Sequence, residues 1–61
     1  MKATITINMD NDAFGDYPEA ELADILRKLA ARVVLGVNTG EEKTLFDYNG
    51  NTVGKFEVTE D

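Results

Sequence analysis

Apolar and polar side chains alternate strictly over Lys2–Met9, with Ala3, Ile5, Ile7 and Met9 on one parity and Lys2, Thr4, Thr6 and Asn8 on the other. A period of two in a run rich in β-branched residues predicts a half-buried strand. The pattern breaks over 10–18, where Gly15, Pro18 and short polar side chains favour turns, so this stretch is expected to be a loop. The period then changes. Leu22, Ile25, Leu26, Leu29 and Val33 recur at spacings of three and four, which places them on one stripe of a helix, widened by Ala23, Ala30 and Val34. Pro18 suits the first helical turn, and Glu19 follows Asp16 at capping-box spacing, so the helix is expected to start at Asp16 or Tyr17. Gly36 is its natural stop.

Beyond a loop through Asn38, Thr39 and Gly40, residues Thr44–Tyr48 and Thr52–Thr59 read as two strands joined at Asn49 and Gly50, a strong hairpin signal. Val53 falls on the opposite parity from Phe56 and Val58, so one continuous pleat cannot bury all three; a bulge at Gly54 would restore the phase. Phe46 and Tyr48 share a parity opposite to that of Leu45, so one of these sets is expected on the uncovered side of the sheet. The reading is an α+β domain, β-α-β-β, in which a three-stranded sheet carries one helix on one face. The pattern leaves strand order open, and a right-handed crossover is expected if the helix joins parallel strands.

Size limits this domain. Sixty-one residues make one domain with a thin core, and the chain has no cysteine or histidine to reinforce it with a disulfide or a metal. Self-association or an unusually regular core is left to do so. The lack of cysteine fits a reducing cytoplasm. No run is long and apolar enough for a membrane span, and the alternating N-terminus is unlike a signal-peptide core, so a protein that stays in the cytoplasm is expected.

The residue inventory also narrows the chemistry. Histidine, cysteine, serine and tryptophan are all absent, which removes the common nucleophiles and bases, thiolate and imidazole metal sites, and indole stacking platforms. Paired carboxylates need a pocket that raises one pKa by burial, which one helix and three strands seldom enclose. No strand-glycine-helix phosphate cradle is present. Asp10, Asp12, Gly15, Asp16 and Glu21 fall at positions 1, 3, 6, 7 and 12 of a calcium loop, but Phe14 and Pro18 stand where ligands are required and a strand precedes the loop. No enzyme activity, cofactor or metal is expected.

Charge changes the picture most. Twelve acidic side chains against six basic ones give a net charge of −6, which opposes direct binding to nucleic acid or anionic lipid and favours a basic protein surface as partner. The whole excess lies in one place: Asp10, Asp12, Asp16, Glu19, Glu21 and Asp24 occur in a stretch without Lys or Arg. Elsewhere Glu41, Glu42, Asp47, Glu57, Glu60 and Asp61 balance Lys2, Arg27, Lys28, Arg32, Lys43 and Lys55. Acids in the first turns of a helix complement its dipole and keep a small protein soluble. A compact carboxylate array can also stand in for the phosphates of a nucleic acid in a basic groove. Phe14 and Tyr17, set among these charges, are either binding anchors or a hydrophobic staple over the helix end.

A strand ending in Met9-Asp10-Asn11, then Phe14, then Pro18 to Ala23 with Ile25 and Leu26, and finally Asp47 to Gly54, together resemble the small acidic proteins encoded by bacteriophages and prophages. In size and charge the chain is similar to anti-CRISPR proteins, including DNA mimics that act on type I effector complexes. That resemblance implies a non-catalytic inhibitor in the bacterial host cell, whose acidic patch covers the DNA-binding face of the complex. The alternative is a small phage assembly module that dimerises through an edge strand or the uncovered sheet face.

Overall fold

The computed structural model describes residues 1–60. Strand β1 spans Lys2–Ile7, a 3₁₀ turn spans Asp12–Phe14, helix α1 spans Pro18–Val33, and strands β2 and β3 span Glu42–Phe46 and Thr52–Thr59. The three strands form one sheet in the order β1-β3-β2, with β3 antiparallel to both neighbours. The domain is therefore α+β with the expected β-α-β-β succession. Because both outer strands oppose β3, they run parallel to each other, and α1 connects them across the sheet while β3 fills the gap.

Strand β3 carries the sheet, and its irregularity makes this possible. Leu45 pairs with Gly54 and Phe46 with Thr52, so Val53 is the extra residue of a bulge. The bulge lies one residue earlier than Gly54, but it has the expected effect: Val53, Phe56 and Val58 are all buried. Gly54 has a different duty. A Cβ built there would lie 1.9 Å from the Thr6 carbonyl oxygen and 2.9 Å from Ile7 Cα, so β1 approaches this backbone too closely for any side chain.

Strand β2 starts and ends two residues earlier than its pattern suggests, which leaves Asp47–Asn51 as the hairpin loop. Gly50 N–H donates to Asp47 O at 3.0 Å, and Gly50 has φ +86, whereas Asn49 does not cross into positive φ. The loop is thus a turn closed by a left-handed glycine, not a two-residue Asn-Gly hairpin, which would need positive φ at both positions.

Helix α1 begins with Pro18 at its first position and Tyr17 at its cap, and no side chain caps it. The Asp16–Glu19 capping box does not form, because Asp16 stands one residue outside the cap. At the other end the coil tightens through Val34 and Leu35, with Gly36 N–H donating to Val33 O at 2.9 Å before Gly36 turns the chain at φ +133. The stretch expected to be loop holds the 3₁₀ turn, where Asn11 Oδ1 accepts from Ala13 N–H at 3.1 Å and Ala13 and Phe14 go into the core.

The core comprises Ala13, Phe14, Ile25, Leu29, Leu45, Val53, Phe56 and Val58, with Ile7 and Val33 packed at its margin. The helix lies against β2 and the 3₁₀ turn and leaves β1 largely uncovered. Hence the inner parity of β1 is less buried than its alternation suggests. Ile5 pairs with the buried Phe56 yet remains 46% exposed, Ala3 is exposed, and Met9 lies exposed beyond the strand. Leu26, on the helix flank, is 40% exposed for the same reason. Phe46, at the end of β2, and Tyr48, in the hairpin loop, are exposed while Leu45 is buried, in keeping with their opposite parity.

Candidate functional site

Three segments meet at the acidic end of the molecule: the 3₁₀ turn, the first turn of α1 and the hairpin loop. Asp47 binds them into one frame. Its carboxylate is only 5% exposed, and its Oδ1 accepts from the backbone N–H of Asn49 and Asn51, each at 2.9 Å. Its Oδ2 accepts from Asn11 Nδ2 at 2.7 Å and from Asn51 Nδ2 at 3.3 Å. Burial opposes ionisation of this carboxyl, but the donors from Asn51, Asn11 and Asn49 outweigh it and hold the pKa below the ordinary aspartate value. The Asx-type turn within the loop is local chemistry of an Asp two residues before Asn-Gly, whereas the bond to Asn11 ties the hairpin to the segment before the 3₁₀ turn.

Glu21 makes the second tie. It is 8% exposed, and its Oε2 accepts the Tyr48 N–H at 2.8 Å, joining the helix to the hairpin loop. Between these ties lies an open cleft of about 260 Å³ lined by Asp12, Ala13, Asp16, Tyr17, Ala20, Glu21 and Tyr48. Three carboxylates thus border a hollow flanked by two tyrosines, Tyr17 at 71% and Tyr48 at 65% exposed.

The structure sorts the eight residues singled out from the sequence. Asp12, Asp16 and Tyr17 come together at the cleft and are exposed, with Glu21 at its floor. Asp10 and Glu19 are exposed on the same end without lining the hollow; the Asp10 N–H donates to Asn8 Oδ1 at 2.9 Å. Phe14 is corrected from a surface anchor to a core residue, since it is 4% exposed. Glu21 is likewise less a free carboxylate than a structural acceptor. Asp24 stands apart from the cleft in an ion pair with Lys28 at 2.9 Å, one helical turn on; the hydrogen bond and charge of Asp24 hold the Lys28 ammonium above its ordinary pKa. Asp10, Asp12, Asp16 and Glu19 make no ion pair among the described residues.

Tyr48 is the site residue that the sequence did not disclose. Its exposure was legible from its parity on the hairpin, but its place beside Asp12 and Asp16 depends on the Glu21 and Asp47 ties. Among the described residues no three carboxylates converge in an arrangement that would hold a metal ion, and no helix is long and apolar enough to cross a membrane. Compared with models of protein families, with characterised proteins and with solved structures, the chain has no match.

Proposed function

We propose that the protein is a non-catalytic acidic binding module that docks its Asp10–Glu21 end on a basic protein surface built for nucleic acid. The observation that supports this most is the cleft in which Asp12, Asp16 and Glu21 lie between Tyr17 and Tyr48. Carboxylates accept from guanidinium and ammonium groups, and tyrosine faces add cation-π attraction, so an Arg or Lys side chain suits the hollow in both chemistry and size. Exposed Asp10 and Glu19 extend the negative surface around it, where they steer encounter with a positive groove. The cationic Arg27, Lys28 and Arg32 fall in later turns of α1, so the excess charge is presented from one end.

The partner class that fits this chemistry, and that the resemblance to anti-CRISPR DNA mimics suggests, is the DNA-binding face of a type I CRISPR effector complex. The carboxylates would occupy the positions of phosphates and block target recruitment in the bacterial host cell without any reaction.

Capture of a purified type I effector complex by the immobilised protein tests this reading. Binding is expected at low salt, with loss at high salt and displacement by target duplex. The Asp12→Asn, Asp16→Asn, Glu19→Gln triple variant is expected to weaken it about tenfold or more, since three exposed ion pairs are lost. Tyr17→Ala is expected to weaken binding with little change in salt dependence. Glu21 is left intact because its loss would loosen the hairpin. Absence of capture, or capture indifferent to salt and to the triple variant, would overturn the proposal.

A further inference from the structure

We infer that two copies of this chain join through their β1 edges into a continuous six-stranded sheet, with the acidic ends at its opposite extremities. Strand β1 lies at the edge of the sheet. The Asn8 N–H donates to Val53 O at 2.7 Å, which with the β1–β3 register makes the even residues of β1 those that bond β3. The N–H and C=O groups of Ala3, Ile5 and Ile7 therefore point away from the sheet, and none of the six has a partner among the described residues. Nothing blunts this edge: it has no proline, no bulge, no acid and only Lys2 as a charge. The opposite edge is partly covered. Arg32 Nη1 donates to the outward Thr44 carbonyl at 3.3 Å, and Glu42 projects a charge there.

The β1 edge is complementary to itself. Antiparallel pairing about a two-fold axis at Ile5 sets Ile5 opposite Ile5 of the second copy and Ala3 opposite Ile7, so all six outward groups are satisfied at the seam. On the core side this brings together the apolar side chains that α1 leaves uncovered, including the 46% exposed Ile5. On the outer side Thr4 faces Thr6, and Lys2 faces Asn8 next to Asp10, an attraction that joins the one basic residue of the strand to the start of the acidic loop. The net charge of −6 per copy is no obstacle in this register, because the Asn8 residues of the two copies, from which each chain leaves the sheet towards its acidic loop, are six positions or about 20 Å apart along the strands, more than two Debye lengths at physiological salt.

Sedimentation equilibrium across a concentration series tests the inference without any partner protein. Twice the chain mass of 6.7 kDa is expected at high concentration, dissociating on dilution. Ile5→Lys places two ammonium groups side by side at the axis, and Ala3→Pro removes an outward N–H while sparing every bond to β3 and burying no new group. Each is expected to raise the dissociation constant about tenfold or more, with circular dichroism verifying that both still fold. Glu42→Lys, on the other edge, is expected to leave the dimer intact. A single-chain mass at every concentration would overturn the inference. So would a dimer that survives both β1 variants, or a mass that grows without limit, which would indicate β1-to-β2 pairing into open filaments.

Discussion

Asp47 shows how much one buried carboxylate can organise. Its acceptors collect two backbone N–H groups from the hairpin loop and two side-chain amides from Asn11 and Asn51, so loss of its charge affects the hairpin and the acidic loop together. Its pKa is lowered in the folded state from an ordinary 3.8. A depressed carboxylate contributes stability that is complete above its unfolded pKa and is lost as the pH falls through the folded value. General charge repulsion acts in the other direction, since it eases as an acidic protein is titrated towards neutrality. The comparison with Asp47→Asn separates the two: as the pH is lowered from about 5 to about 2 the melting temperature of the parent is expected to fall relative to that of the variant. Parallel curves would mean that the donors around Asp47 do not favour its ionised form.

Among the elements, β3 is the most constrained, being paired on both sides and bulged at Val53. Its demands were legible from parity, because Val53 could not share a face with Phe56 and Val58 without one extra residue. The site of the bulge was not legible, since the close approach of β1 to Gly54 appears only in the assembled sheet. Gly54→Ala is expected to cost about 3 kcal/mol in urea unfolding, because the added methyl meets the Thr6 carbonyl and relief requires β1 to move. A cost under about 0.5 kcal/mol, the range of neutral surface changes, would show that β1 is held less tightly than the structure requires. Helix α1 presents the converse case: its stripe named Ile25 and Leu29 correctly, but the capping box misled because Asp16 also sits at a plausible cap position.

At the scale of the molecule, the helix is displaced towards β2, and the core is small as a result. Eight buried apolar residues support a domain whose total stability, on the usual scale per residue, is roughly 3 to 9 kcal/mol. Ile25→Ala is expected to remove about 3 kcal/mol or more and to leave a substantial unfolded fraction, read by far-UV circular dichroism and denaturant titration. Leu26→Ala, one position along on the uncovered flank, is expected to cost about 1 kcal/mol or less, because its side chain is already 40% exposed. Equal effects would mean that the flank is covered in solution, as a second copy packed along β1 would allow.

The sequence by itself determined the class of fold, the existence and order of the four main elements, the need for a bulge in the last strand, the exposure of Phe46 and Tyr48 against the burial of Leu45, and the concentration of charge between Asp10 and Asp24. These are properties of spacing and composition, written by periods of two and of three to four and by the residues that turns demand. Tertiary structure alone decided that β3 lies between β1 and β2, that Phe14 belongs to the core, that Glu21 and Asp47 are acceptors holding the acidic end together, and that Tyr48 stands beside Asp12 and Asp16. Each of these depends on groups distant in the chain, such as Glu21 with Tyr48 or Asn11 with Asp47. Local pattern carries no record of such partners. It is the placement of one helix over a three-stranded sheet that brings them together, and the same placement leaves the edge of β1 open.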